Sequence, residues 1–189
     1  SYKLYWKNMV LTIWIIILAG ILLLVVLMYN RLVSLRNRTE NAWSQIDVQL
    51  KRRYDLIPNL VEAVKGYMKH EKETLKLVTE LRTKLITGDI HQKAKANDQF
   101  SNALKSIFAV AESYPKLKAN TNFLNLQEEL SATENKISYS RQFYNDSVYS
   151  LNTAVETFPS NVIANLFNFS KKEYFEVSEQ EKKHVKVQF

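Results

Sequence analysis

From Asn8 to Asn30 the chain carries no charged residue. The run from Met9 to Tyr29, MVLTIWIIILAGILLLVVLMY, is long enough as an α-helix, at about 1.5 Å per residue, to cover a hydrocarbon core of ~30 Å. A cleaved signal peptide is the alternative, but its apolar region is usually ~7–15 residues and a small-x-small site should follow it. Met28-Tyr29-Asn30-Arg31 offers no such site. Trp6 and Tyr29 stand at the two ends, where amphipathic rings settle at headgroup level. Residues 1–8 then read as a short extracytoplasmic N-terminus and residues 9–29 as a single transmembrane helix.

Charge sets the expected orientation. Lys3 and Lys7 precede the run, whereas Arg31, Arg36 and Arg38 follow it, with Lys51-Arg52-Arg53 a little beyond. The positive-inside rule places the C-terminal part in the cytoplasm. With 26 basic and 19 acidic residues the formal net charge is +7, which draws the body to the anionic inner leaflet. There is no cysteine, so disulfides and thiolate metal sites are excluded.

Only three glycines and three prolines punctuate the sequence, which points to long helices and an all-α fold. None lies between Ile21 and Ile57, so the membrane helix runs on without a break. Val25, Met28, Leu32, Leu35, Thr39, Ala42 and Ile46 recur at steps of three and four, a core-facing stripe. A turn is expected at Tyr54-Asp55, with Pro58 in the first turn of a second helix that ends before Gly88; the alternative is a kink in one continuous helix, and the turn is preferred because a rod that never turns could not bury its stripe. Asp89 to Asp98 reads as a linker or weak helix. A third helix is expected over about Asp98–Tyr114 and a fourth from Asn120-Thr121 to about Thr157, stopped by Pro159. Residues 30–157 thus form an antiparallel four-helix bundle continuous with the membrane helix.

Four passes bring the chain back to the bilayer. The segment 158–176, FPSNVIANLFNFSKKEYFE, arrives there as a short interfacial segment. In a helix from Ser160, Val162, Ile163, Leu166, Phe167 and Phe169 lie close to one face, and Lys171 and Lys172 follow, the composition of a headgroup-level segment. Padding of the open end of the bundle, or an intersubunit patch, would use the same residues.

Chemistry is mostly excluded. His70-Glu71 does not open an HExxH motif, Glu-x-x-His occurs only once, at Glu181 and His184, without the second such pair that a di-iron bundle needs, and three glycines cannot build a phosphate loop. No serine sits in a nucleophile elbow. The expectation is a protein that is not an enzyme and has no cofactor. Lys51, Arg52, Arg53 and Asp55 form a charged cluster at the tip, either complementing a helix C-terminus or docking a partner. The cluster is short and lacks an aromatic RNA motif, which argues against nucleic acid. Asn145 and Asn152, seven apart, either bond across the bundle or face water. In the tail, residues 177–189, Val185, Val187 and Phe189 alternate with polar residues, so an extended tail either pairs as a strand or is disordered.

Two stretches, YNRLVSLRNRTENAWSQIDVQLKRRYDLIPNLVEAVKGYMKHEKETL (29–75) and RQFYNDSVYSLNTAVETFPSNVIANLFNFSKKEYF (141–175), closely resemble the LemA family of bacterial membrane proteins. The resemblance implies one N-terminal membrane helix, an extracytoplasmic N-terminus and a cytoplasmic antiparallel helical bundle. It implies no catalytic residue. The family often sits beside membrane metalloproteases, which suits an adaptor. Asn165 and Asn168 stand where relatives often carry Gly, and Asn is the next most tolerant residue of left-handed backbone. The expected function is a self-assembling membrane scaffold, a homo-oligomer held through its cytoplasmic part, because the membrane helix has no small-xxx-small pair. The alternative is an adaptor or regulatory partner of a membrane protease or envelope sensor.

Overall fold

The computed structural model describes residues 2–67 and 72–176, and among them the protein is all helical. The elements are α1 (Tyr2–Lys65), α2 (Lys72–Thr87), α3 (Ile90–Ala111), α4 (Pro115–Lys118), α5 (Thr121–Glu156) and α6 (Ser160–Leu166). His70, Glu71, His184 and the alternating Val185, Val187 and Phe189 lie outside the described residues. The chain divides into two compact units. One holds the chain to Glu40 with Ser147–Lys172, the other Asn41–Asp146 with the chain from Glu173, so α1 and α5 supply residues to both.

The expected turn at Asp55 does not occur. α1 continues through Pro58 to Lys65. Its stripe explains why: Ile46, Leu50, Arg53, Ile57, Leu60 and Val64 are all buried and keep the alternating steps of four and three. Taken as a surface cation, Arg53 ends the stripe; buried, it continues it. Pro58 deletes one backbone donor but does not throw the apolar face out of phase. The chain turns at Gly66-Tyr67 instead, where the Tyr67 amide donates to Val64 at 3.0 Å.

Of the two readings of Asp89–Asp98, linker or weak helix, the structure shows helix from Ile90 onward. Asp89 caps α3, accepting from the Gln92 amide at 2.7 Å while the Gln92 side chain reaches back to the Asp89 amide, a capping box. Ala94, Ala96 and Asn97 are buried in this first stretch. Their small size hides the apolar face from a reading based on large residues. Gly88 is required before the cap for space rather than for a positive φ. A Cβ there would lie 2.6 Å from the Lys84 carbonyl oxygen. α5 keeps nearly the expected bounds and buries Phe123, Leu130, Thr133, Ile137, Tyr144, Val148 and Leu151.

Within the second unit the polar pairs give the helix directions. Asp47 meets Lys93 at 2.6 Å, and six residues further along α1 Arg53 meets Asn97 and Ser101, so α1 and α3 run the same way. Asp98 meets Arg141 at 2.9 Å, Ser101 meets Glu134 and Phe108 stacks near Phe123, so α3 and α5 run oppositely. α2 packs on α3, and Gly88-Asp89 joins them.

Arg53 is the polar centre of this unit, with 0% of its surface exposed. Its guanidinium donates to Asn97, Ser101 and Glu134 and lies 4.6 Å from the Phe100 ring centroid. Burial pushes its pKa below the usual arginine range, opposed by the adjacent Glu134 carboxylate and by Asp98. Removing one partner of such a pair strands the other charge, whereas replacing both by apolar groups of similar volume is nearly neutral. Glu134 is 41% exposed and Asn97 and Ser101 remain as acceptors, so Glu134→Ala is expected to destabilise the protein by about 1–2 kcal/mol in detergent-phase unfolding, and Arg53→Met with Glu134→Leu by less.

Tyr144 packs its ring 5.4 Å from Trp43 and donates its hydroxyl to the Glu173 carbonyl at 2.8 Å. Burial, then the Glu173 charge, pushes its phenol up to about 12 from 10.0. A raised folded-state pKa favours the neutral phenol, so this contribution is complete below pH ~10 and is lost as pH rises towards 12. Unfolding midpoints measured from pH 9 to 12 should fall for the parent chain, and Tyr144→Phe should lack that part of the decline.

Candidate functional site

The expected interfacial residues lie in the first unit, and the structure divides them. α6 starts at Ser160 as expected, with the Ser160 hydroxyl placed 2.6 Å from the Ala154 carbonyl and 2.9 Å from that of Thr157. The helix stops at Leu166, so Phe167 and Phe169 lie beyond it and the five apolar residues do not share one helical face. Asn168 takes the left-handed conformation, with φ 56°. The Phe169 amide donates to the Ala164 carbonyl at 2.9 Å and the Asn168 amide to Asn165 at 3.4 Å, the bonding of a Schellman end. Asn thus serves at the position where glycine is the usual residue. Asn165, by contrast, is ordinary helix.

This corner sorts the apolar side chains. Ile163, Ala164 and Phe169 turn inward and join Leu32 and Ala154 in a buried cluster edged by Val25, Met28, Leu35 and Val155. Phe167 meets the Tyr29 ring at a tilt and Phe169 meets it edge-on, with ring centroids 4.8 and 5.9 Å away. Arg36 covers the Phe169 ring at 5.2 Å. Val162, Leu166 and Phe167 remain outside, joined by Phe158, and the last two are 47% and 77% exposed. Tyr29 closes the uncharged run, so an exposed apolar patch abuts the end of a helix long and apolar enough to cross a membrane. Lys171 pairs with Glu156 at 2.5 Å, and Lys172 keeps its side chain outside.

The two asparagines of α5 are neither wet nor bonded helix to helix. In the first unit Asn152 accepts from the Lys172 amide and donates to the Lys172 carbonyl, both at 2.9 Å. In the second unit Asn145 accepts from the Phe175 amide at 2.9 Å, and His91 Nδ1 lies 2.8 Å from the Glu176 carbonyl. Both asparagines therefore satisfy the backbone of the non-helical segment after α6. Its need for bonding partners could have been read from the short reach of α6; the choice of these asparagines could not.

The charged cluster near Pro58 is corrected at one residue. Lys51, Arg52 and Asp55 are exposed, but Arg53 is the buried arginine described above and belongs to no docking surface. The cluster also stands mid-helix rather than at a helix end. Among the described residues no three of His, Asp and Glu gather as a metal set would require.

The Asn168 corner is testable. Asn168→Gly should hold or slightly raise stability, whereas Asn168→Val should cost about 1–2 kcal/mol, since a β-branched side chain fits poorly at positive φ. Asn152→Ala should speed hydrogen exchange at the Lys172 amide while leaving amides within α5 protected.

A model of the LemA family matches residues 42–189. Protein LemA of Metamycoplasma hominis is 30% identical over 161 residues, covering 82% of this chain and 72% of that protein. Two magnetosome MamQ proteins of Paramagnetospirillum magneticum are 24% identical over 175 residues, and the chain spans 64% of their length. Magnetosome protein MamQ of Magnetospirillum gryphiswaldense is 22% identical over 195 residues, with 89% of this chain and 72% of that protein covered. None of these names carries an enzymatic activity. On the extent of the family match and the similarity to the mycoplasma protein, the chain belongs to the LemA family.

Proposed function

We propose that the protein is a non-enzymatic, single-pass membrane protein that organises the membrane as a self-assembling scaffold. Residues 9–29 cross the bilayer with the N-terminus outside, and the helices beyond them form a cytoplasmic antiparallel bundle. The segment around α6 lies at the lipid surface. One observation carries the reading: Phe167 and Phe169 pack on Tyr29, and Val162, Leu166, Phe167 and Phe158 stay exposed beside the end of the uncharged run. Water disfavours such a patch, whereas the headgroup region accommodates it.

The chain has no cysteine, so Phe167→Cys takes a single spin label. In anionic proteoliposomes its relaxation should show strong oxygen contact at headgroup depth, while a label at Lys51→Cys should meet only aqueous reagents. Equal aqueous access at both positions would overturn the membrane-surface role of α6.

Self-assembly draws on the second unit. An open groove of about 400 Å³ runs between α1 and α5, with Val48 61% and Tyr139 75% exposed at its edge. The Gln49 Oε1 in its wall is buried without a hydrogen-bond partner among the described residues. A second copy seated there would cover the apolar rim and satisfy that oxygen. In mild detergent the protein should run as one large homogeneous particle, and Tyr139→Asp with Val48→Asp should reduce it to single protomers. The adaptor reading rests on exposed Lys51, Arg52 and Asp55, and a small particle carrying a different protein would favour it.

A further inference from the structure

The first unit contains a cleft of about 460 Å³ formed by α1, α5 and the start of α6. Met28, Leu35 and Phe158 give it an apolar wall, and the exposed residues Thr153 and Thr157 add hydroxyl groups to the lining. Arg31 is the one charged residue in the lining. It is exposed and makes no ion pair or hydrogen bond among the described residues. None of these residues belongs to the exposed α6 face except Phe158, which borders both.

We propose that this cleft binds the phosphate headgroup and the adjoining glycerol and acyl carbons of one anionic phospholipid. The inference rests on the reading that residues 9–29 span the bilayer. On that reading the cleft has a defined depth. Arg31 stands two residues past Tyr29, a rise of only ~3 Å along the helix, so it lies at the level of lipid phosphates. Its guanidinium offers paired donors that match a phosphodiester. The threonine hydroxyls add neutral donors, and no carboxylate in the lining opposes an anion. The volume falls in the range of small-molecule sites, ~300–1,000 Å³, and exceeds what a bare phosphate fills. The apolar wall is what selects a lipid over a soluble anion, because a free phosphate would leave Met28, Leu35 and Phe158 against water.

The test uses the full chain in nanodiscs of phosphatidylcholine with a minority of phosphatidylglycerol, released into mild detergent and weighed with its retained lipid by native mass spectrometry. Phosphatidylglycerol should be retained at about fivefold its bulk share, the effect of roughly one headgroup-level cation. Arg31→Gln should return retention to the bulk share. Thr153→Trp, which fills the cleft from its exposed rim and leaves Arg31 in place, should do the same. Arg38→Gln, outside the cleft, should leave the enrichment intact. Enrichment that survives Arg31→Gln, that falls equally with Arg38→Gln, or that inorganic phosphate displaces would overturn the site. Vesicle flotation separates this from the underlying reading: variants that float but lose phosphatidylglycerol support the site, floating protein with no enrichment overturns the site alone, and a parent chain that fails to float overturns both.

Discussion

Between Met9 and Leu24 the helix has uncharged, mostly apolar side chains on every side, all of them exposed, and no neighbouring element packs on it among the described residues. In lipid, where no water competes, its amides and carbonyls can be satisfied only by the helix's own i to i−4 ladder. That obligation makes α1 start as it does, and the absence of any breaker before Pro58 lets the same ladder carry on. From Leu32 onward, α1 changes from exposed apolar surface on all faces to a single buried stripe. The same helix therefore supplies both a segment suited to lipid and the wall on which other helices pack.

The stripe is apolar except at two positions that are made acceptable locally. Thr39 bonds its hydroxyl to the Leu35 carbonyl at 2.9 Å, returning it to its own helix. Arg53 cannot do so, and it needs α3 and α5 to provide acceptors. Asn97, Ser101 and Glu134 each gain a partner by that demand. A buried guanidinium of this kind costs desolvation, and what it contributes is discrimination: a one-residue slip of α1, α3 or α5 would leave it bare.

Periodicity made the all-helical fold, the extent of α5 and the start of α6 readable in the sequence. It failed at Arg53, because a charged residue in a stripe position is indistinguishable from the end of a stripe until its acceptors are known, and those lie 44 to 81 residues away. It failed again at Ala94 and Ala96, which bury a helix face too small to register as apolar. For the candidate site, composition identified the aromatic segment, and the family resemblance, with Asn at two positions where relatives often carry Gly, pointed to left-handed backbone that occurs at Asn168 and not at Asn165. Which rings turn inward was not legible, since that depends on where the corner falls. Likewise the cleft beside Arg31 joins residues more than a hundred positions apart, and no local pattern announces it.

Asn152 grips Lys172 by its peptide groups alone. A side-chain amide that reads only main chain is indifferent to which side chain passes in front of it. A substitution at position 172, proline excepted, therefore leaves both bonds to Asn152 available and with them the path of the chain at this point.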